Sequence, residues 1–174
     1  PPARRRLPLP HLRRLPFRDT TSTSMGPGGG EVPLSGGSST DGGVSVVFPR
    51  DVFDTSVALD ITLTDAPPPG VSPPSGATLL NKTLEVLPQS ATMLRKTAGI
   101  RFNLTSADLG PYSIQDIGGG VVVGDTVEPR PTRIVDAGQG ILWIDIDHLT
   151  KFTLFAITKP GPTLSSPSSG TILP

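Results

Sequence analysis

The sequence predicts an all-β protein: an antiparallel, immunoglobulin-like β-sandwich with disordered flanks rich in Pro, Gly and Ser. Three observations carry that expectation. Apolar and polar residues alternate at period two in several short runs, as half-buried strands require. Those runs are separated by closely spaced Gly, Pro, Asp and Asn turn signals. No stretch has a convincing helical periodicity.

Composition narrows the class. Of 174 residues, 20 are Gly and 21 are Pro, and they are concentrated in particular stretches. This points to one folded unit between linkers rather than to a wholly disordered chain. Formal charge balances overall, yet residues 1–40 hold six Arg against only Asp19 and Glu31. The rest of the chain is correspondingly acidic, so no global basic footprint for nucleic acid exists. There is no Cys, which excludes disulfides, Cys-ligated zinc and thiol catalysis. No apolar run is long enough for a membrane-spanning helix. The Arg-rich start also lacks the apolar segment of a signal peptide, so any export signal is expected to lie outside this chain.

In chain order, residues 1–42 are expected to be linker: a Pro-interrupted basic arm, then a Gly/Ser-rich stretch. The arm could engage an acidic or membrane-headgroup surface, but its Arg residues define no amphipathic face. The Gly-rich run at Gly26–Gly30 is expected to lack the strand-before and helix-after context of a phosphate loop, and no Gly-Lys-Ser/Thr follows it, so nucleotide binding is not expected there.

The folded domain is expected over 43–159. Val44–Phe48 is a short strand stopped by Pro49. Ser56–Thr64 is the clearest alternating strand, with Val57, Leu59, Ile61 and Leu63 inward. Asp65–Ser75 is a Pro-rich surface loop, unable to donate along a sheet ladder. Leu79–Leu87 reads as a strand or pair of strands, and Pro88-Gln89-Ser90 as a turn. Ala98–Leu104 follows, with Ile100, Phe102 and Leu104 on one face. Tyr112-Ser113-Ile114, Val121–Val123 and Arg133–Val135 are further short strands.

Ile141–Thr158 reads as a closing hairpin turning at His148-Leu149-Thr150. Its first strand faces Leu142, Ile144 and Ile146 inward, and its second Phe152, Leu154 and Ala156. The expected core is therefore Val57, Leu59, Ile61, Leu84, Val86, Ile100, Phe102, Leu142, Ile144, Ile146, Phe152 and Leu154. Residues 160–174 return to Pro/Ser-rich linker.

Against this frame, the strand order and the terminal run Asp147-His148-Leu149-Thr150-Lys151-Phe152 resemble ZU-type β-sandwich modules. These occur in bacterial secreted proteins and in ankyrin- and netrin-receptor-like proteins, and typically end in Asp/Asn-His-Phe-Ser-x-Phe. The resemblance covers about residues 43 to 158. It implies a non-catalytic structural, adhesion or assembly module of a larger secreted or cell-surface protein. The triplet His148-Leu149-Thr150 is also similar to the self-cleavage site of adhesion-receptor autoproteolysis domains. That similarity implies an alternative in which Thr150 Oγ attacks the Leu149 carbonyl with His148 as base.

Other candidate sites are weaker. Asp145 and Asp147 share a strand face and, with Asp136 or Asp125, could supply oxygens to Ca²⁺, but no calcium-loop motif is present. Trp143 could be a sugar platform or a cover for one end of the sandwich. His11 and His148 are too few and too distant for a metal site. Asn81-Lys82-Thr83 and Asn103-Leu104-Thr105 are glycosylation sequons. Nothing implies a cofactor, and the residues favour a non-enzyme. A protein or glycan partner, or self-association through an edge strand, is the expected mode of interaction.

Overall fold

The computed structural model describes residues 16–35, 43–90 and 94–158. The proposed arm around Arg4–Arg6 and Arg13–Arg14, His11, and the linker at 160–174 lie outside the described residues.

Among the described residues, eleven strands form two antiparallel sheets. They are β1 (Arg18–Met25), β2 (Gly30–Ser35), β3 (Gly43–Phe48), β4 (Val57–Thr64), β5 (Ala77–Ser90) and β6 (Ala98–Asn103), then β7 (Ile117–Val123), β8 (Thr126–Arg130), β9 (Thr132–Asp136), β10 (Ile141–Ile146) and β11 (Leu149–Ile157). One sheet runs β1-β4-β5-β11-β7-β8 and the other β2-β3-β6-β10-β9. A single helical turn, α1 (Ser106–Leu109), links β6 to the approach of β7 and so joins the two sheets. The chain is an all-β sandwich.

The period-two rows form the core. Leu59, Ile61, Leu84, Val86, Ile100, Phe102, Leu142, Ile144, Ile146, Phe152 and Leu154 are all buried. Val57 is the exception among the expected core residues, being only partly buried at the end of β4. Burial of each large aliphatic side chain is worth roughly 1.5–3 kcal/mol.

Several expectations need correction. Order begins well before Val44, because β1 and β2 lie inside the stretch expected to be linker. The strand β1 is an edge of Thr and Ser, paired with β4 along its whole length and with Met25 alone of its residues in the core; side-chain pairs reinforce the ladder. Thr20 Oγ1 meets Thr62 Oγ1 at 2.9 Å, and Ser22 Oγ donates to Asp60 at 2.5 Å. The strand β2 turns Val32 and Leu34 into the core around Pro33, and Pro33 suits an edge position.

The closing segment is not a hairpin. The strand β10 belongs to the five-stranded sheet and β11 to the six-stranded one, so the chain arches between sheets at Asp147-His148. Leu149 and Thr150 already belong to β11. Two consecutive apolar rows can face each other across a sandwich as readily as they can lie side by side, and periodicity alone does not separate these cases. Pro88-Gln89-Ser90 continues β5 instead of turning. Tyr112 lies in a turn and Ile114 opens a 3₁₀ turn rather than a strand. The strand β8 was not anticipated.

The Pro-rich loop does more than occupy the surface. Ser72 forms an isolated bridge with Thr126, and its amide donates to Asp125 O at 2.7 Å. The loop therefore crosses the outer face of the six-stranded sheet, and Pro68 within it is buried.

Candidate functional site

The arch at Asp147-His148 holds the residues of the self-cleavage alternative. Asp147 Oδ1 lies 2.6 Å from His148 Nδ1, and Arg130 Nη1 donates to Asp147 Oδ2 at 3.2 Å. Burial pushes the Asp147 carboxyl up, but the His148 hydrogen bond, the charges of Arg130 and His148 and a backbone hydrogen bond outweigh it. The carboxyl is held below its ordinary range. The His148 ring also packs at a tilt against Phe152, with centroids 6.5 Å apart.

Among the described residues, no hydrogen bond connects His148 to Thr150. The Leu149–Thr150 peptide begins a strand, with Leu149 opposite Ser90 of β5. Asp51 is the one non-glycine with positive φ among the described residues. The arch thus orients a histidine with a carboxylate, but the bond expected to break lies in ordinary extended chain.

The face of the five-stranded sheet that looks away from the core carries Trp143. It is not at an end of the sandwich. Its ring lies across Gly99 of β6, where any Cβ would collide with it. Its Nε1 donates to Asp145 Oδ1 at 2.7 Å, and the Arg133 guanidinium stacks 5.1 Å above the ring. Arg101, opposite Trp143, pairs with Glu31 at 2.7 Å. The aromatic face a sugar would use is occupied by Arg133.

Asp145 is thus engaged by Trp143, and Asp147 by His148 and Arg130. Asp136 accepts the amide of Gln139 at 3.0 Å and shapes the turn before β10. Asp125 lies in the β7–β8 turn, where its carbonyl accepts from Ser72. The four aspartates of the calcium reading do not gather. Among the described residues no group of three or more His, Cys, Asp or Glu could hold a metal.

Sequence reasoning passed over Lys82, which is 6% exposed. Its Nζ lies 2.7 Å from Asp65 Oδ1 and 3.1 Å from Asp108 Oδ1. Asp108 is fixed in turn by a reciprocal capping box at α1. Its Oδ2 accepts from both the amide and the hydroxyl of Thr105, each at 2.8 Å, while its own amide donates to Thr105 Oγ1. Burial alone would lower the Lys82 pKa. The hydrogen bonds and charges of Asp65 and Asp108 reverse that, so the ammonium is held above its ordinary value. The available signal was Thr105-x-x-Asp108, a capping-box spacing. It indicates a helix start, but not the lysine that the aspartate would meet.

The threonine of each sequon is engaged within the fold. Thr105 is committed to the capping box, and Thr83 Oγ1 donates to Ala66 O at 2.7 Å. Nearby, a groove of about 150 Å³ runs under the Pro-rich loop, with Thr62, Thr83, Glu85 and Lys151 on its floor and Arg18 at one side.

No protein-family model matches the chain, and no curated protein matches it significantly. What fold and site define is a class: a two-sheet antiparallel β-sandwich with a buried lysine, Lys82, held between two aspartates. The ZU-type likeness rests on the strand order and on Asp147–Phe152 alone.

Proposed function

We propose that the chain is a non-catalytic adhesion or assembly module of a larger secreted or cell-surface protein, as the ZU-type resemblance implies. The observation carrying this reading is the direction of the first and last strands. Successive antiparallel pairings β1-β4, β4-β5 and β5-β11 make β1 and β11 run in opposite directions. Arg18 pairs with Thr64, Thr64 with Thr83, and Thr83 with Thr153. The described chain therefore enters and leaves toward one end of the sheet, three strand spacings or roughly 14 Å apart across it, with Thr158 five residues beyond Thr153, the residue level with Arg18.

A unit tethered this way projects its far end, where the β1–β2 turn, the β3–β4 loop and the Asp147-His148 arch gather. That arrangement favours display over an in-line spacer. Self-association through a sheet edge is less favoured, because Pro33 and Pro129 interrupt the edge strands β2 and β8. The edge β9 does expose Ile134 and Val135.

The test is antibody labelling of intact cells that make the parent protein. Surface labelling without permeabilisation is expected; labelling only after lysis would sink the extracellular reading. Spin labels at Phe17 and Thr158 should report a short separation, which checks the tether geometry separately.

The paired Asp147 and His148 favour self-cleavage as the second reading. Intact mass decides it: a break after Leu149 that disappears in Thr150→Ala supports it, and an unbroken chain removes it.

A further inference from the structure

The geometry points to an autocatalytic amide bond between Lys82 Nζ and the Asp108 side chain, with Asp65 as the proton carrier. This modification site does not depend on the proposed function. All three parts of an acyl condensation are in place. The amine is buried and touches two carboxylates, at 2.7 Å and 3.1 Å. The electrophile is marked by its hydrogen bonds. Two donors of Thr105 converge on Asp108 Oδ2, and they draw electron density from the carboxyl carbon. As the carbon becomes tetrahedral, the same donors hold the negative charge that gathers on Oδ2. Among the described residues Asp65 has no such clamp on its carboxylate, and its Oδ1 is the nearer acceptor for the amine proton.

The step balances. Lys82 begins as an ammonium and Asp108 as a carboxylate. Asp65 takes one proton from Nζ, and the freed lone pair attacks Asp108 Cγ to form the C–N bond. Asp65 passes that proton to Asp108 Oδ1, and a second proton from nitrogen follows by the same route. Oδ1 departs as water when the C–O bond breaks, and Asp65 is a carboxylate again. An ion pair has become a neutral amide plus water, with no oxidant, metal or co-reactant consumed.

Folding supplies the driving advantage. The reacting groups are held in contact, which replaces an encounter in water with a step of high effective concentration. Burial of Lys82 limits the competing hydration of the amine, and the product exchanges a buried ammonium and a partly buried carboxylate for a hydrogen-bonding amide. The link would fasten β5 to the helical turn that carries the chain from one sheet to the other.

Intact-mass spectrometry of the full chain, followed by peptide mapping, tests the proposal. The expected result is a loss of one water per chain, with a branched peptide joining Lys82 to Asp108. Lys82→Arg should restore the full mass. Asp65→Asn, verified as folded by circular dichroism, should slow bond formation at least tenfold while leaving both reacting groups present. A full wild-type mass after prolonged incubation of folded protein overturns the proposal. So does a branched peptide at Asp65 in place of Asp108. A water loss that survives Lys82→Arg also overturns it, since that marks a cyclised aspartate such as Asp41 before Gly42.

Discussion

On the six-stranded sheet, the face turned away from the core is roofed by the Pro-rich loop. On the five-stranded sheet the corresponding face has no such loop over it, although Ser45, opposite Arg101, is buried there and its hydroxyl has no hydrogen-bond partner among the described residues. Under the roof, Thr62, Thr83 and Thr153 are buried, and Lys82 is buried where the loop begins, between Asp65 and Asp108 of α1. Each has a partner: Thr20, Ala66 O, Lys82 O, and the two aspartates respectively. On the open face, Arg101 and Glu31 pair while each remains 42% exposed, and Trp143 lies between Gly99 and Arg133. A covered polar group left without a partner costs about 1–3 kcal/mol, whereas water satisfies one on an open face. The covered side is therefore where single substitutions should be costly.

The largest expected effect is at Lys82. Lys82→Ala removes the shared partner of two aspartates and should cost about 3 kcal/mol by urea denaturation, as for breaking a buried ion pair. Arg101→Ala on the open face should cost under about 1 kcal/mol. Equal costs would erase the distinction between the faces. Alkali sharpens it. In freshly folded chain Lys82 has a folded pKa above 10.5, so its contribution is complete below that pH and is lost as pH rises through the folded value. Chains carrying the Lys82–Asp108 bond should show no such alkaline loss.

Next in size is Gly99→Ala. A methyl group there would occupy the space of the Trp143 ring, so the indole must leave its place beneath Arg133. The expected cost is about 1–3 kcal/mol, typical of overpacking. Trp143 is the single tryptophan, so its emission should shift to the red in this variant. Unchanged emission would mean that the open face is not organised around that ring.

The two faces also differ in how much of them the sequence reveals. Alternation exposed the inward rows of β4, β6, β10 and β11, because burial of one face is the physical cause of period two. It missed β1, a polar edge strand held by its backbone ladder to β4 and by side-chain pairs such as Ser22 with Asp60, which leave little apolar trace. It misread β10 and β11 as a hairpin, since facing layers and neighbouring strands produce the same pattern. At the candidate sites, the closeness of Asp147 to His148 was legible because they are consecutive. Lys82 meets Asp65 and Asp108 across 17 and 26 positions only through folding, and no local pattern encodes that meeting.

A smaller effect is expected at the arch. The Asp147 carboxyl has a folded pKa below its ordinary 3.8. Its stabilisation is therefore complete above that value and lost as pH falls through the lower folded value. Asp147→Asn should cost under about 1 kcal/mol at neutral pH, since the pair is partly exposed. The gap from wild type should close as pH drops below 3.8. A gap that persists in strong acid would mean that shape rather than charge holds the arch.

The smallest effect belongs to Arg133→Ala, and it bears most directly on whether the open face can receive a ligand. The guanidinium lies 5.1 Å from the Trp143 ring centroid, and Arg133 itself is exposed on the edge strand β9. A cation over an indole at such a site is worth about 0.5–1 kcal/mol, so loss of stability should be near the limit of measurement. Removal of the guanidinium has a second consequence, because it uncovers one aromatic face while Asp145 still anchors the indole nitrogen. If Arg133 acts as a cover, Arg133→Ala should gain glycan-array binding that wild type lacks, and Arg133→Ala/Trp143→Ala should lose it again. Strong glycan binding by wild type, abolished by Arg133→Ala, would instead make the arginine a contact and the open face a recognition surface.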